Sequence, residues 1–484
     1  MYNKCKELKK KTKGITLVAL VVTIIVLLIL AGVAINFTIG EDGIFKRAQN
    51  AVDLYSEAAA KEKLEIMYAG YLIDGGYKDT EKDEIDIFLD IMGDKEITKE
   101  DIEEFNKVLE QYGKKIIGIT NVEELKSIGN DENYPLDGLY LQLNDISFND
   151  TDILTPIGSS ETPFEGIYDG NSHKIDNLKL ANEKENIGIF SVNKGKIKNV
   201  RVESYNITVS YAQAGTIAGV NNGKIMNCAN DNGSISSNGE NDGSRIGGIV
   251  GLNGEGGEIV NCTNNISVTG EYKLVGGIVG YSLGGNIEKC KNYGEITGPT
   301  QVGGIAGDSE GLNENNIVTL KNCTNYAKIT GDGKSSYEGS IGGIVGTNYV
   351  YSILESNINE GTIVSDGGMS GGIAGSNRHI VTNCTNKGNI QMIHDEEISI
   401  QRNVGGIVGK NSGGTVRKCI NLANIQGVAD YTDFVGGITG AVDNSKIEQC
   451  YNTGNISGHN IIAGVSARIA ESSTINSCFN VRRN

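Results

Sequence analysis

Val275-Gly276-Gly277-Ile278-Val279-Gly280, then Ile287-Glu288-Lys289-Cys290-Lys291-Asn292, then Ile296, is one unit of a phrase that recurs from about residue 187 to the C-terminus. Its GGI[VAT]G core stands at 247–251, 276–280, 303–307, 342–346, 371–375, 405–409 and 436–440, with degenerate copies at 187–191, 215–219 and 463–467. A unit of about 30 residues is too small to bury an apolar face alone, so such units stack. The spacing therefore predicts a quasi-one-dimensional solenoid rather than a globular enzyme domain.

Each unit carries three strand signals separated by Gly, Asn or Asp. These predict three short strands and three corners, stacked in parallel as a mainly β, right-handed β-helix of roughly ten coils. The Gly pair lets the backbone bend or approach closely, and Ile249, Ile278, Ile305, Ile344, Ile373, Ile407 and Ile438 fill the core. Two positions after a repeated Cys stands Asn, at 230, 264, 292, 325, 386, 421, 452 and 480. Asn tolerates the left-handed conformation of a sharp corner, and stacked amides hydrogen-bond from coil to coil.

Of nine cysteines, all but Cys5 occupy one place in successive repeats: Cys228, Cys262, Cys290, Cys323, Cys384, Cys419, Cys450 and Cys478. Asn357 fills that place once, so the position takes a small buried side chain, and free thiols are expected in preference to disulfides. Asn261, Asn322 and Asn383 open Asn-Cys-Thr triplets that match a glycosylation acceptor, but these letters belong to the repeat.

Ahead of the repeats, residues 1–14 form a basic leader and Ile15 to Phe37 is uncharged and long enough, at about 1.5 Å per residue, to span a bilayer as a single helix. Lysines before it and Glu41 and Asp42 after it put the N-terminus in the cytoplasm and the bulk outside. Helical periodicity continues through 38–72 as a stalk. Short acidic helices follow over 73–117 as a spacer, the clearest starting at Thr98 with Asp101 completing a capping box. A short helix near Asn121 to Ile128 then opens the solenoid, which takes residues 118–484. Residues 1–14 carry six lysines against one glutamate, so the rest of the chain is more acidic than the net charge of −17, which argues against nucleic acid as a partner.

Two resemblances follow from these residues. Lys13-Gly14-Ile15-Thr16-Leu17-Val18-Ala19-Leu20 resembles the prepilin cleavage and methylation segment of type IV pilins and pseudopilins. That resemblance implies a prepilin peptidase as partner, cutting between Gly14 and Ile15. The family has Glu at the fifth mature position, where this chain has Ala19, which counts against filament assembly. The repeats resemble the GLUG motif of large bacterial surface proteins, among them adhesin-like proteins and non-catalytic parts of immunoglobulin-cleaving proteases. The stretches 134–138, 144–146, 156–158, 164–166 and 169–175 resemble the section that opens such domains.

Candidate chemistry is sparse. Glu183, Glu185, Asp231 and Asp242 sit in irregular turns and no acidic position recurs, and His394-Asp395-Glu396-Glu397 reads as a solvated loop. Ser282 and Ser370 match a nucleophile elbow by letters alone, without the following helix. Gly333-Lys334-Ser335 ends like a phosphate loop, yet Lys328 replaces its first Gly. None of His173, His379, His394 and His459 lies in HExxH, and Asn149 to Asp152 lacks calcium-loop spacing. No catalytic residue, cofactor or metal is therefore expected. The resulting expectation is a bacterial membrane-anchored surface solenoid for display or adhesion, not an enzyme, with a glycan or protein as extracellular ligand. The alternatives are a minor pilin-like filament subunit and a polysaccharide-active β-helix enzyme.

Overall fold

The computed structural model describes residues 82–481, apart from 182–185, 211–212, 239–242, 272–273, 332–338, 367, 394–401, 428–432 and 471, together with helical Ala59 and Glu62. The leader 1–14, the Gly14–Ile15 junction, the apolar span 15–37 and the rest of the stalk lie outside the described residues. From residue 81 onward the chain forms one compact unit.

That unit is a parallel β-solenoid of about eleven turns, slightly longer than the roughly ten coils expected because the lead-in strands Ile116–Ile119, Leu139–Gln142 and Ile167–Asp169 already pair in its longest ladder. Each regular coil has five short strands, not three. In one coil these are Val275–Gly276, Val279–Leu283, Asn286–Glu288, Lys291–Asn292 and Ile296–Gly298, which lie on what we term the first to fifth faces. The extra strands have a simple origin: the Gly pair breaks VGGIVG into two faces, and the residues after Cys form a face of their own. Ladders of 10, 10, 13, 12 and 9 strands run along faces one to five.

The interior explains the repeated letters. The Ile after each Gly pair is fully buried, as are Val250, Val279, Ile259, Ile287 and Ile296; each such side chain contributes roughly 1.5–3 kcal/mol. Opposite them the repeated Asn residues form a buried chain of amides. Asn264 donates to Asn292, and so on through Asn325, Asn359, Asn386, Asn421, Asn452 and Asn480, at 2.7–2.9 Å per step. The second Gly of each pair exists to admit this ladder: a Cβ on Gly343 would lie 2.4 Å from Cγ of Asn359, and one on Gly277 2.4 Å from Cγ of Asn292. The two signatures of the sequence therefore meet across the core.

These ladder residues are extended within the fourth face, so the expectation that they occupy left-handed corners is overturned. The left-handed residue is the one before the Cys position, at Asn261 (φ 54), Lys289 (φ 56), Asn322 (φ 57) and Ser356 (φ 56). The chain must turn before the Cys if both Cys and Asn are to point inward. Asn261, Asn322 and Asn383 are thus corner residues, as the repeat reading requires. The eight described cysteines are free, and all but half-buried Cys478 are buried. Burial pushes the Cys290 and Cys419 thiols well above the usual range. A second amide ladder, Asn193–Asn221–Asn253 and Asn348–Asn377–Asn411, lines the corner between second and third faces.

The helices of the expected spacer are a cap. Helix α1 (Glu84–Met92) starts with the capping box of Asp83 and Asp86, and α2 (Lys99–Leu109) with that of Thr98 and Asp101. Buried Asn106 on α2 exchanges two hydrogen bonds with the backbone of Ile116 in the first solenoid strand. Asp83 also meets Lys196 and Lys198 at 2.8 Å, and Lys198 reaches buried Asp169 at 3.3 Å. Although burial opposes ionisation of Asp83, these lysines hold its carboxyl below the usual range. A short helix α3 (Val122–Ser127), capped by Asn121, follows.

Candidate functional site

Sharp folding at the Gly pair has a consequence outside the core. It sets the first face of one coil against the second face of the next, leaving a concave groove that runs along the solenoid. Side chains reach across it: the Arg245 guanidinium of the first face lies 5.4 Å from the Tyr281 ring centre of the second face, and Arg468 of the second lies 5.7 Å from that of Phe434 of the first. Along the second-face wall Leu252, Tyr281, Asp308, Thr347, Ser376 and Lys410 stand in register. Strand alternation turns them outward, because Ser282, Ser309, Asn348 and Asn377 beside them are buried in the interior. Asp308 and Thr347 are nevertheless only 4% exposed, which measures how closely the two walls approach.

Chemistry concentrates in the coils that carry Tyr281, Asp308 and Tyr349. Glu310 stands two residues beyond Asp308 on the same strand face and accepts the hydroxyl hydrogen of Tyr281. Asp308 accepts the backbone N–H of Thr347 at 3.0 Å. Arg378 lies over the Tyr349 ring at 5.1 Å, and Arg245 is steadied by Gln213 at 2.8 Å. Burial, reinforced by the negative charge of Glu310, pushes the Asp308 carboxyl up to about 8 against the pull of Thr347 and Arg378. Burial and the hydrogen bond to Glu310 likewise raise the Tyr281 phenol. At neutral pH Asp308 is thus an uncharged buried carboxyl, Glu310 is an acceptor at the groove surface, and both rings are partly exposed with a guanidinium over them.

The candidates singled out by sequence lie elsewhere. Ser282 is buried and donates to the Gly285 carbonyl at 2.6 Å, and Ser370 is buried against Ser365; neither is a presented nucleophile. Asp231 pairs with Arg201 at 3.2 Å. In the turn 149–152, Asp152 is engaged by the Asn149 N–H and by Lys126, each at 3.0 Å. His173 faces Asp145 at 3.4 Å, and burial lowers the His379 pKa. Glu183, Glu185, Asp242, the run 394–397 and the stretch 333–335 lie outside the described residues. No group of three or more His, Cys, Asp or Glu suited to a metal occurs among the described residues. The reading of the sequence missed Asp308 and Glu310 because their pairing depends on which way the second-face strand points. The burial of Ser282 and Ser309 settles that direction.

Residues 242–269 and 271–297, two successive coils, match the family model of the GLUG motif. A solved structure from Bacteroides ovatus, of a protein provisionally named an immunoglobulin A1 protease, is similar over 72% of this chain and 84% of its own, with 19% identity and a TM-score of 0.33. No curated protein matches the chain.

Proposed function

We propose that this chain is a membrane-tethered β-solenoid displayed at a bacterial surface, where its concave lateral groove holds an extended ligand. One observation carries the ligand-binding reading: Arg245, Tyr281, Glu310, Tyr349 and Arg378 gather along one stretch of the groove, held by the hydrogen bond from Tyr281 to Glu310 and by guanidinium–ring contacts. Tethering rests on the uncharged span 15–37, and export on the prepilin-like junction Gly14–Ile15.

A polysaccharide-cleaving role is the weaker reading. Acid and base in such an enzyme flank the bond to be broken, whereas Asp308 and Glu310 stand side by side on one wall and Glu310 is already engaged by Tyr281. The test is to shave intact cells with protease and compare adhesion of expressing and deletion strains to coated surfaces. Release of solenoid fragments together with loss of adhesion on deletion is the expected result. Protection of the chain in intact cells would sink the display reading. Mass spectrometry of the membrane-extracted chain, starting at methylated Ile15, would add the export route.

A further inference from the structure

We infer that Tyr281 and Tyr349 are the stacking platforms of a saccharide-binding subsite in the groove, with Glu310, Arg245 and Arg378 supplying its hydrogen bonds. The inference rests on the ligand-binding reading above and gives it a chemical class.

Three features select a sugar chain over other extended ligands. A peptide strand would need a free sheet edge, but the second-face strands around these residues are paired on both sides, with the coil before and the coil after. A nucleic acid would meet the carboxylate of Glu310 on a body of net charge −17. A pyranose instead presents a C–H face, which packs on an aromatic ring, and a rim of hydroxyls that both donate and accept. The groove offers the complement of each: two partly exposed phenol rings, the acceptor Glu310, and guanidinium donors, each lying over one side of its ring at 5.4 and 5.1 Å from the centre.

Spacing supports a chain rather than a single sugar. Tyr281 pairs in register with Asp308, Asp308 with Thr347, and Tyr349 follows two residues later. The two rings are therefore two coils apart, roughly 10 Å along the axis at the usual inter-strand spacing. An oligosaccharide lying along the axis touches both while passing Glu310. The hydrogen bond from Tyr281 to Glu310 holds one ring and one acceptor ready before a ligand arrives, which lowers the ordering cost of binding.

The test is calorimetric titration of the full-length protein in detergent with cellohexaose, chitohexaose and hexagalacturonate in turn. Saturable binding of at least one is expected, weakened at least about tenfold by Tyr349→Ala and by Arg378→Gln, and unchanged by Tyr293→Ala on the fourth face. Arg378 is exposed, so its variant reports on binding even if Tyr349→Ala folds poorly. No heat with any of the three, or binding indifferent to both groove variants, overturns the inference. Cells carrying Arg378→Gln separate the two levels of the argument. Adhesion retained in that strain although its sugar binding is weakened uncouples adhesion from the subsite, whereas adhesion by the parent strain with no binding of any of the three sugars removes the saccharide subsite and leaves the display reading intact.

Discussion

Inside the solenoid one coil can almost be exchanged for the next, whereas along the groove each coil differs from its neighbours. The core repeats Ile at the same rung seven times and carries an unbroken amide ladder from Asn264 to Asn480. The second-face wall reads Leu252, Tyr281, Asp308, Thr347, Ser376, Lys410 over the same stretch. Each interior rung stabilises its neighbours on both sides, so it is constrained by stacking. An outer residue touches few partners and is free to specialise. The repeat thus builds a scaffold whose stability is collective and whose chemistry is local, and the two regions should answer mutation differently.

The largest effect is expected where an interior ladder is cut. Asn359→Leu leaves the amide of Asn325 without its acceptor and removes the donor to Asn386 and to the Gly361 carbonyl, three bonds of 2.9 Å inside the core. At about 1–3 kcal/mol for each buried group left unpaired, a loss of at least about 3 kcal/mol is expected in urea unfolding. A loss below about 1 kcal/mol would mean the ladder tolerates gaps. Gly343→Ala attacks the same contact from the opposite wall. Its Cβ would stand 2.1 Å from the Gly372 carbonyl oxygen and 2.4 Å from Cγ of Asn359, so backbone must move. Overpacking of this kind costs about 1–3 kcal/mol, and thermal melting of the variant would show it.

Legibility in the sequence followed the same division. The repeat, the parallel stacking, the buried free thiols, the coil-to-coil amide bonds, the cap at Thr98 and the short helix near Asn121 are periodic or local, and residue spacing exposes both kinds of signal. The second amide ladder was hidden because Ser282 and Ser309 interrupt it between Asn253 and Asn348. The number of faces was missed because a two-residue strand such as Lys291–Asn292 has too few positions to show alternation. The groove was least legible of all. Tyr281 and Glu310 lie 29 positions apart and touch only because one coil stacks on the next, and Asp308 gains its environment from walls that a local pattern does not reveal.

The buried carboxyl of Asp308 gives the comparison a pH axis. Its proton is held up to about 8 in the native state but is lost near 4 from an unfolded chain. Stability from this group is therefore fully present below about pH 4 and falls as pH rises through 8, where folding must bury a charge. Asp308→Asn keeps an acceptor for the Thr347 N–H and removes that charge. Equal stability at pH 4 and a more stable variant at pH 8.5, by at least about 1.4 kcal/mol, the equivalent of a single pKa unit, are expected. A gap that does not change with pH would show that the native state ionises Asp308 normally. The interior ladders carry no titratable carboxyl, so Asn359→Leu should show no such dependence.

The smallest stability effect belongs to Arg378→Gln, and that smallness is informative. Arg378 is exposed, and its contact with the Tyr349 ring at 5.1 Å is of the kind worth about 0.5–1 kcal/mol at the surface. The glutamine side chain retains part of that packing, so a melting curve within about 0.5 kcal/mol of the parent is expected. A larger loss would mean that the groove wall supports the fold as the core does, and the division between a repetitive scaffold and a specialised surface would fail at the residue chosen to reveal it. With stability unchanged, any change in ligand affinity at Arg378 is a property of the groove alone.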